Sequence, residues 1–151
     1  MKKFEFKLGR IRDYKNILLD REKNVLVGLM MEKNGILDRI EALEEEFEKV
    51  NNEMHEEMRS GLNVTKIRLF EAQKNGMREE QRLLGDRLEF LQVSIDRQQE
   101  RVSSLKQDVS GYDNLEAKKR EEYNKELAKE QDLVISEFVS QKYTREHKRI
   151  S

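Results

Sequence analysis

Arg59-Ser60-Gly61-Leu62-Asn63 divides this chain into two helical halves, and its reading decides how they are arranged. Gly61 can supply the left-handed backbone that ends a helix, and Asn63 is a favourable cap for the next one. Polar cap and turn residues cluster here as they do nowhere else in the central part of the chain. A glycine tolerated inside one continuous helix is the alternative. It is not idle, because Gly28, Gly35, Gly76 and Gly85 also sit in helical pattern.

Outward on the carboxyl side, Ile67, Phe70, Met77, Leu84, Leu88, Leu91, Ile95, Val102, Leu105, Val109 and Tyr112 follow an alternating three–four spacing. Lys74, Gln81 and Gln98 fill the gaps in that register. A heptad repeat sustained this long identifies a coiled coil. On the amino side, Leu19, Leu26, Ile40, Phe47 and Met54 occupy a positions, and Leu8, Leu29, Ile36, Leu43 and Val50 occupy d.

Folding back at Gly61 passes an internal test. In an antiparallel pair, the numbers of facing residues sum to a constant. With Met54 opposite Phe70, that constant also sets Phe47 against Met77, Ile40 against Leu84, Ile36 against Leu88, Leu29 against Ile95 and Leu19 against Leu105. Every pairing opposes an a to a d, as antiparallel knobs-into-holes packing requires. Polar layers interrupt the seam where Lys74 faces Val50, Gln81 faces Leu43 and Lys33 faces Leu91; long side chains lay their stems along it. The fold class is therefore all-α: a long two-helix antiparallel coiled-coil hairpin with a longer second helix. Its expected plan is a single hairpin over 1–151, with helix one at about 5–58, a turn at about 59–63, helix two at about 64–141 and a basic, frayed tail at 142–151. Helix one would run roughly 80 Å at 1.5 Å per residue.

Composition agrees. Of 151 residues, 40% are charged and 36% hydrophobic, with no proline, cysteine or tryptophan. That is too little apolar material for a broad core but enough for a seam between two helices. The formal net charge of -1 gives no reason to expect nucleic-acid binding. The absence of cysteine excludes disulfides and thiolate chemistry. The opening MKKFEFKLGR holds no apolar run of signal-peptide length, and no stretch approaches a membrane span, so a cytoplasmic protein is the expectation.

Nothing resembles a catalytic arrangement. His55 and His147 lie far apart and read as surface residues, and Glu44-Glu45-Glu46 and Glu56-Glu57 read as solvated helix faces. No GxxxxGK[ST] phosphate loop is present. No catalytic residue, cofactor or metal site is expected. Binding surfaces are. The first two dozen residues and the tail are basic, whereas residues 38–57 are strongly acidic, which suits a different partner at each end. Off the seam, Leu69, Leu83 and Phe90 share one heptad column and Met30 and Leu37 stand on helix one, fitting either docking or self-association.

Three stretches resemble the flagellar type III export protein FliJ family. They are Phe4-Glu5-Phe6-Lys7-Leu8 followed by Ile11 and Leu18; Gly61-Leu62 with Ile67-Arg68-Leu69-Phe70; and Leu115-Glu116-Ala117-Lys118-Lys119-Arg120-Glu121-Glu122-Tyr123 with Glu137-Phe138 beyond. The chain departs from the family at Gly9, where many members carry a charged helix former. The resemblance implies a non-catalytic stalk similar to the coiled coil of the rotary ATPase γ subunit. It implies that the paired terminal ends enter and activate a hexameric flagellar export ATPase. The body would contact the cytoplasmic domain of the export gate and engage export chaperones, and the membrane would be met only through the export complex. By position, Phe4, Phe6, Arg10, Lys118, Lys119, Arg120 and Tyr123 are its ATPase-binding candidates, and Leu69 and Phe70 its gate-binding candidates. A monomeric hairpin is expected alone. The alternatives are a dimeric coiled-coil scaffold and the equivalent stalk of a virulence secretion system or another rotary ATPase.

Overall fold

A computed structural model describes residues 2–61 and 63–150 and contains two α-helices. Helix α1 is Gly9–Arg59 and helix α2 is Val64–Ile150; no strand is present among the described residues. The two pack against each other as an antiparallel coiled-coil hairpin, with α2 at 87 residues against 51 for α1.

Local chemistry explains the reversal. At the end of α1, the Ser60 N–H donates to the carbonyls of Glu56 and Glu57, and the Gly61 N–H donates to that of Met58. Gly61 has φ +85°, which glycine adopts without the Cβ penalty. Asn63 then caps α2: its Oδ1 accepts the Lys66 N–H at 2.9 Å, and its carbonyl accepts the Ile67 N–H. Leu62, inside the expected turn, lies outside the described residues.

Residues 20–103 form one compact unit. Its core is Ile36, Leu91 and Ile95, with Leu26, Leu29, Ile40, Leu84 and Leu88 packed around them. Leu43, Val50 and Met54 are buried towards the turn, while Phe47, Phe70 and Met77 are half-buried. Burying each such side chain contributes about 2 kcal/mol. Of the interrupting polar residues, Lys74, Lys33 and Gln98 are partnered. Lys74, buried at 7% exposure, donates from Nζ to Asn51 Oδ1 at 3.0 Å and lies 5.3 Å from the Phe47 ring centroid. Lys33 donates to Gln92, and Gln98 donates to the carbonyl of Glu22. Along one flank, Arg39 binds Glu80 and Arg87 binds Glu32.

Residues 2–19 and 104–150 form a second compact unit. Leu19 and Val109 are buried in it, and Leu8, Leu18, Leu105, Tyr112 and Leu115 are half-buried. Two boundaries differ from the sequence reading. Residues 2–6 are not helical, and α1 starts at Gly9 rather than near residue 5. Phe4, Phe6 and Leu8 are half-buried while Lys3, Glu5 and Lys7 are exposed, a period of two that suits extended backbone and not a helix. Glycine's low helix propensity fits a boundary at that point. The other difference is the tail, where residues 142–150 continue α2. No glycine follows Gly111 and the chain has no proline, so nothing breaks the helix there. Pairs four residues apart line its surface: the Thr144 hydroxyl donates to the Ser140 carbonyl, and Tyr143 contacts His147.

Candidate functional site: the terminal cluster and the groove beside the turn

The extended segment at the amino terminus and the middle of the second unit's long helix make one cluster. The Tyr123 hydroxyl donates to the Lys2 carbonyl at 2.6 Å, tying the segment down. The Phe4 ring then lies 5.5 Å from the Tyr123 ring at an interplanar angle of 59°. The Arg120 guanidinium stands 4.5 Å from the Phe4 centroid, close enough for a cation–π contact. A groove of about 690 Å³ runs beside them, walled by Phe4, Phe6, Leu8, Leu115, Lys119 and Tyr123 among others.

Of the seven terminal candidates, Phe4, Arg120 and Tyr123 are in direct contact, and Phe6 and Lys119 line the same groove. Arg10 and Lys118 are exposed and take no part in it. Sequence reasoning passed over Arg12 and Glu116. Arg12 binds Glu116 in a short, direct ion pair, reaches Asp113 at 3.6 Å and lies 5.6 Å from the Phe6 centroid. The hydrogen bond to Glu116 is the main reason the Arg12 pKa is raised. Glu116 also lies 3.9 Å from Arg120, so one carboxylate serves two guanidinium groups. A signal for this pair was available. Arg12 and Glu116 fall on the same heptad positions as Leu19 and Val109, where opposite charges can pair across the seam.

Beside the turn, Leu69 is 67% exposed and Phe70 half-buried. They line a shallow groove of about 300 Å³ with Glu57, Lys66 and Gln73, and Lys66 lies 3.5 Å from Glu57. Phe70 therefore belongs to both the seam and the groove. Off-seam Leu83 and Phe90 are exposed as well, with Arg87 over the Phe90 ring. Among the described residues, no group of three or more His, Asp or Glu is gathered to hold a metal ion, and no helix is long and apolar enough to cross a membrane.

Fold and surfaces together define a two-helix coiled-coil hairpin that presents open grooves and exposed side chains. A family model described as the flagellar FliJ protein matches residues 4–148, and the chain belongs to the FliJ family. That makes it a component related to flagellar export. No curated protein and no solved structure matches it.

Proposed function

We propose that this chain is a non-catalytic stalk of the flagellar export apparatus that enters and activates a hexameric export ATPase and links it to the cytoplasmic domain of the export gate. The family match over residues 4–148 supports the apparatus, and the terminal cluster carries the finer reading. Phe4 held between Tyr123 and Arg120 presents an aromatic and basic surface on anchored side chains, the combination that favours docking against acidic or carbonyl-rich loops. In this reading, Phe4, Phe6, Arg10, Lys118, Lys119, Arg120 and Tyr123 face the ATPase. Leu69 and Phe70 face the gate, export chaperones bind the body, and the chain works at the cytoplasmic side of the membrane through the complex alone.

The test is steady-state ATP hydrolysis by the export ATPase with the purified chain added. A severalfold rise is expected, and Arg120→Glu together with Tyr123→Ala should remove most of it while Leu69→Ala leaves it intact. Leu69→Ala should instead weaken binding to the gate domain. A hydrolysis rate that the chain does not change, with neither end binding its partner, would overturn the proposal.

A further inference from the structure

Residues 2–6 lie against α2 with little backbone pairing. Among the described residues, their backbone joins two hydrogen bonds: the Lys2 carbonyl accepts the Tyr123 hydroxyl, and the Phe6 carbonyl accepts the Gly9 N–H at the turn into α1. Side chains therefore hold this strap down, and each of its two rings is covered by an arginine. Arg12 of α1 lies 5.6 Å from the Phe6 centroid, and Arg120 of α2 lies 4.5 Å from the Phe4 centroid. A free arginine gives up about as much rotamer freedom as a solvated cation–π contact returns. Neither ring is held firmly unless something else orders the two guanidinium groups.

Glu116 orders both. Its carboxylate pairs directly with Arg12 across the hairpin and lies 3.9 Å from Arg120, one turn further along α2. Asp13 and Asp113 also reach Arg12, at 3.4 and 3.6 Å, but among the described residues Glu116 alone meets both arginines. The Arg12 and Glu116 side chains are 19% and 25% exposed, against 44% and 43% for Arg39 and Glu80, so this pair is more sheltered than an ordinary surface bridge. Glu116 four residues before Arg120 is also the favoured order for an ion pair on a helix. We infer that Glu116 is a positioning residue: through the two arginines it latches the amino-terminal strap, and the latched strap is the binding-competent form of the terminal surface.

The second half of this inference rests on the proposed docking of the terminal end to the ATPase; the first half does not. In the latched state Phe4 is fixed against Arg120 and Tyr123 and lines one groove with Lys119, so aromatic and basic groups are presented together before any partner arrives. In a released state Phe4 and Phe6 ride on a segment that its own backbone does not hold. The apparent affinity for a partner then falls in proportion to the latched fraction. The ion pairs at Glu116 are open to solvent, so rising salt loosens the latch. The terminal end is in this way a salt-sensitive switch, set by a carboxylate that itself faces the arginines rather than the partner.

Placing 4-fluorophenylalanine at position 4 of the full chain makes the latched and released populations visible by fluorine NMR. Glu116→Ala should shift their ratio towards release by about fivefold or more, with Glu116→Gln between it and the natural chain. Asp113→Asn, which touches Arg12 alone, should shift it less. Raising the salt concentration should release the strap in the natural chain and change little in Glu116→Ala. Affinity for the export ATPase should fall in step with the latched fraction, while helix content and binding to the gate domain stay unchanged; a general loss of structure would move all three. A strap that stays latched in Glu116→Ala, or that opens as far in Asp113→Asn, overturns the latch. An affinity unmoved by release, or raised by it as a blocking strap would require, overturns its role in binding. If the natural chain does not bind the ATPase at all, the proposed function falls and takes that role with it, while the fluorine populations still decide whether Glu116 is the latch.

Discussion

Residues 84–95 and residues 133–139 lie on one helix and are similarly rich in large apolar side chains, yet their environments are opposite. Leu91 and Ile95 are 1% and 2% exposed; Leu133, Val134 and Phe138 are 65%, 61% and 66% exposed. Helix propensity and local sequence do not separate the two stretches. A packed neighbour does: the first has Leu29, Ile36 and Ile40 of α1 against it. In a hairpin of two helices there is no third layer to cover what the partner leaves open, so burial follows pairing alone.

The largest expected effect breaks the comparison if it fails. Leu91→Ala should cost about 2–5 kcal/mol, because it removes a side chain from the tightest layer and leaves a cavity. Phe138→Ala, though a larger truncation, should change the stability of the hairpin by no more than about 0.5 kcal/mol, as at other exposed positions. Urea denaturation of the two variants, at a concentration below that of any self-association, reads both values. Equal losses would mean that the exposed stretch is packed in solution.

The amino-terminal segment is an intermediate case, since it covers α2 without being a helix. Phe4→Ala should cost about 1 kcal/mol, the sum expected from a tilted aromatic pair and a partly exposed cation–π contact. Its sharper readout is local. Amide exchange in residues 3–8 should accelerate while that of residues 84–95 stays unchanged. Smaller still is the cap: Asn63→Ala should cost about 1 kcal/mol or less by leaving the Lys66 N–H without its acceptor, measured as a modest fall in melting temperature.

Much of this was legible in the sequence because a heptad seam is written one residue at a time. The facing constant set by Met54 and Phe70 also fits the cross-helix contacts, among them Lys33 with Gln92 and Arg101 near Glu22. The turn was legible because positive φ and N-capping have dedicated residues, Gly61 and Asn63. A helix start near residue 5 is not what the structure has, because Phe6 and Leu8 keep with Phe4 a spacing of two that fits extended chain. The terminal cluster was only half legible. Its aromatic and basic members stood out, but the pairing of Phe4 with Tyr123 and Arg120 depends on that segment being extended, and Arg12 with Glu116 was hidden among many surface charges.

The smallest effect separates contacts that need the hairpin from contacts that need only a helix. Glu80 has its pKa lowered chiefly by the hydrogen bond from Arg39 on the other helix, and Glu79 has its own lowered chiefly by that from Arg82 three residues on. A carboxylate depressed in the folded state adds stability above its unfolded value, near the ordinary 4.5, and that contribution fades as pH falls through the lower folded value. Both pairs are solvent-exposed and salt-screened, so the slope is shallow. The two differ in the unfolded reference. Arg82–Glu79 survives in any residual helix of the denatured chain, whereas Arg39–Glu80 exists only when α1 and α2 are paired. Glu80→Gln should therefore flatten the acid limb of melting temperature against pH more than Glu79→Gln does. Raising the salt concentration should shrink the difference. If Glu79→Gln flattened it more, local helix rather than pairing would dominate the acid response of residues 20–103.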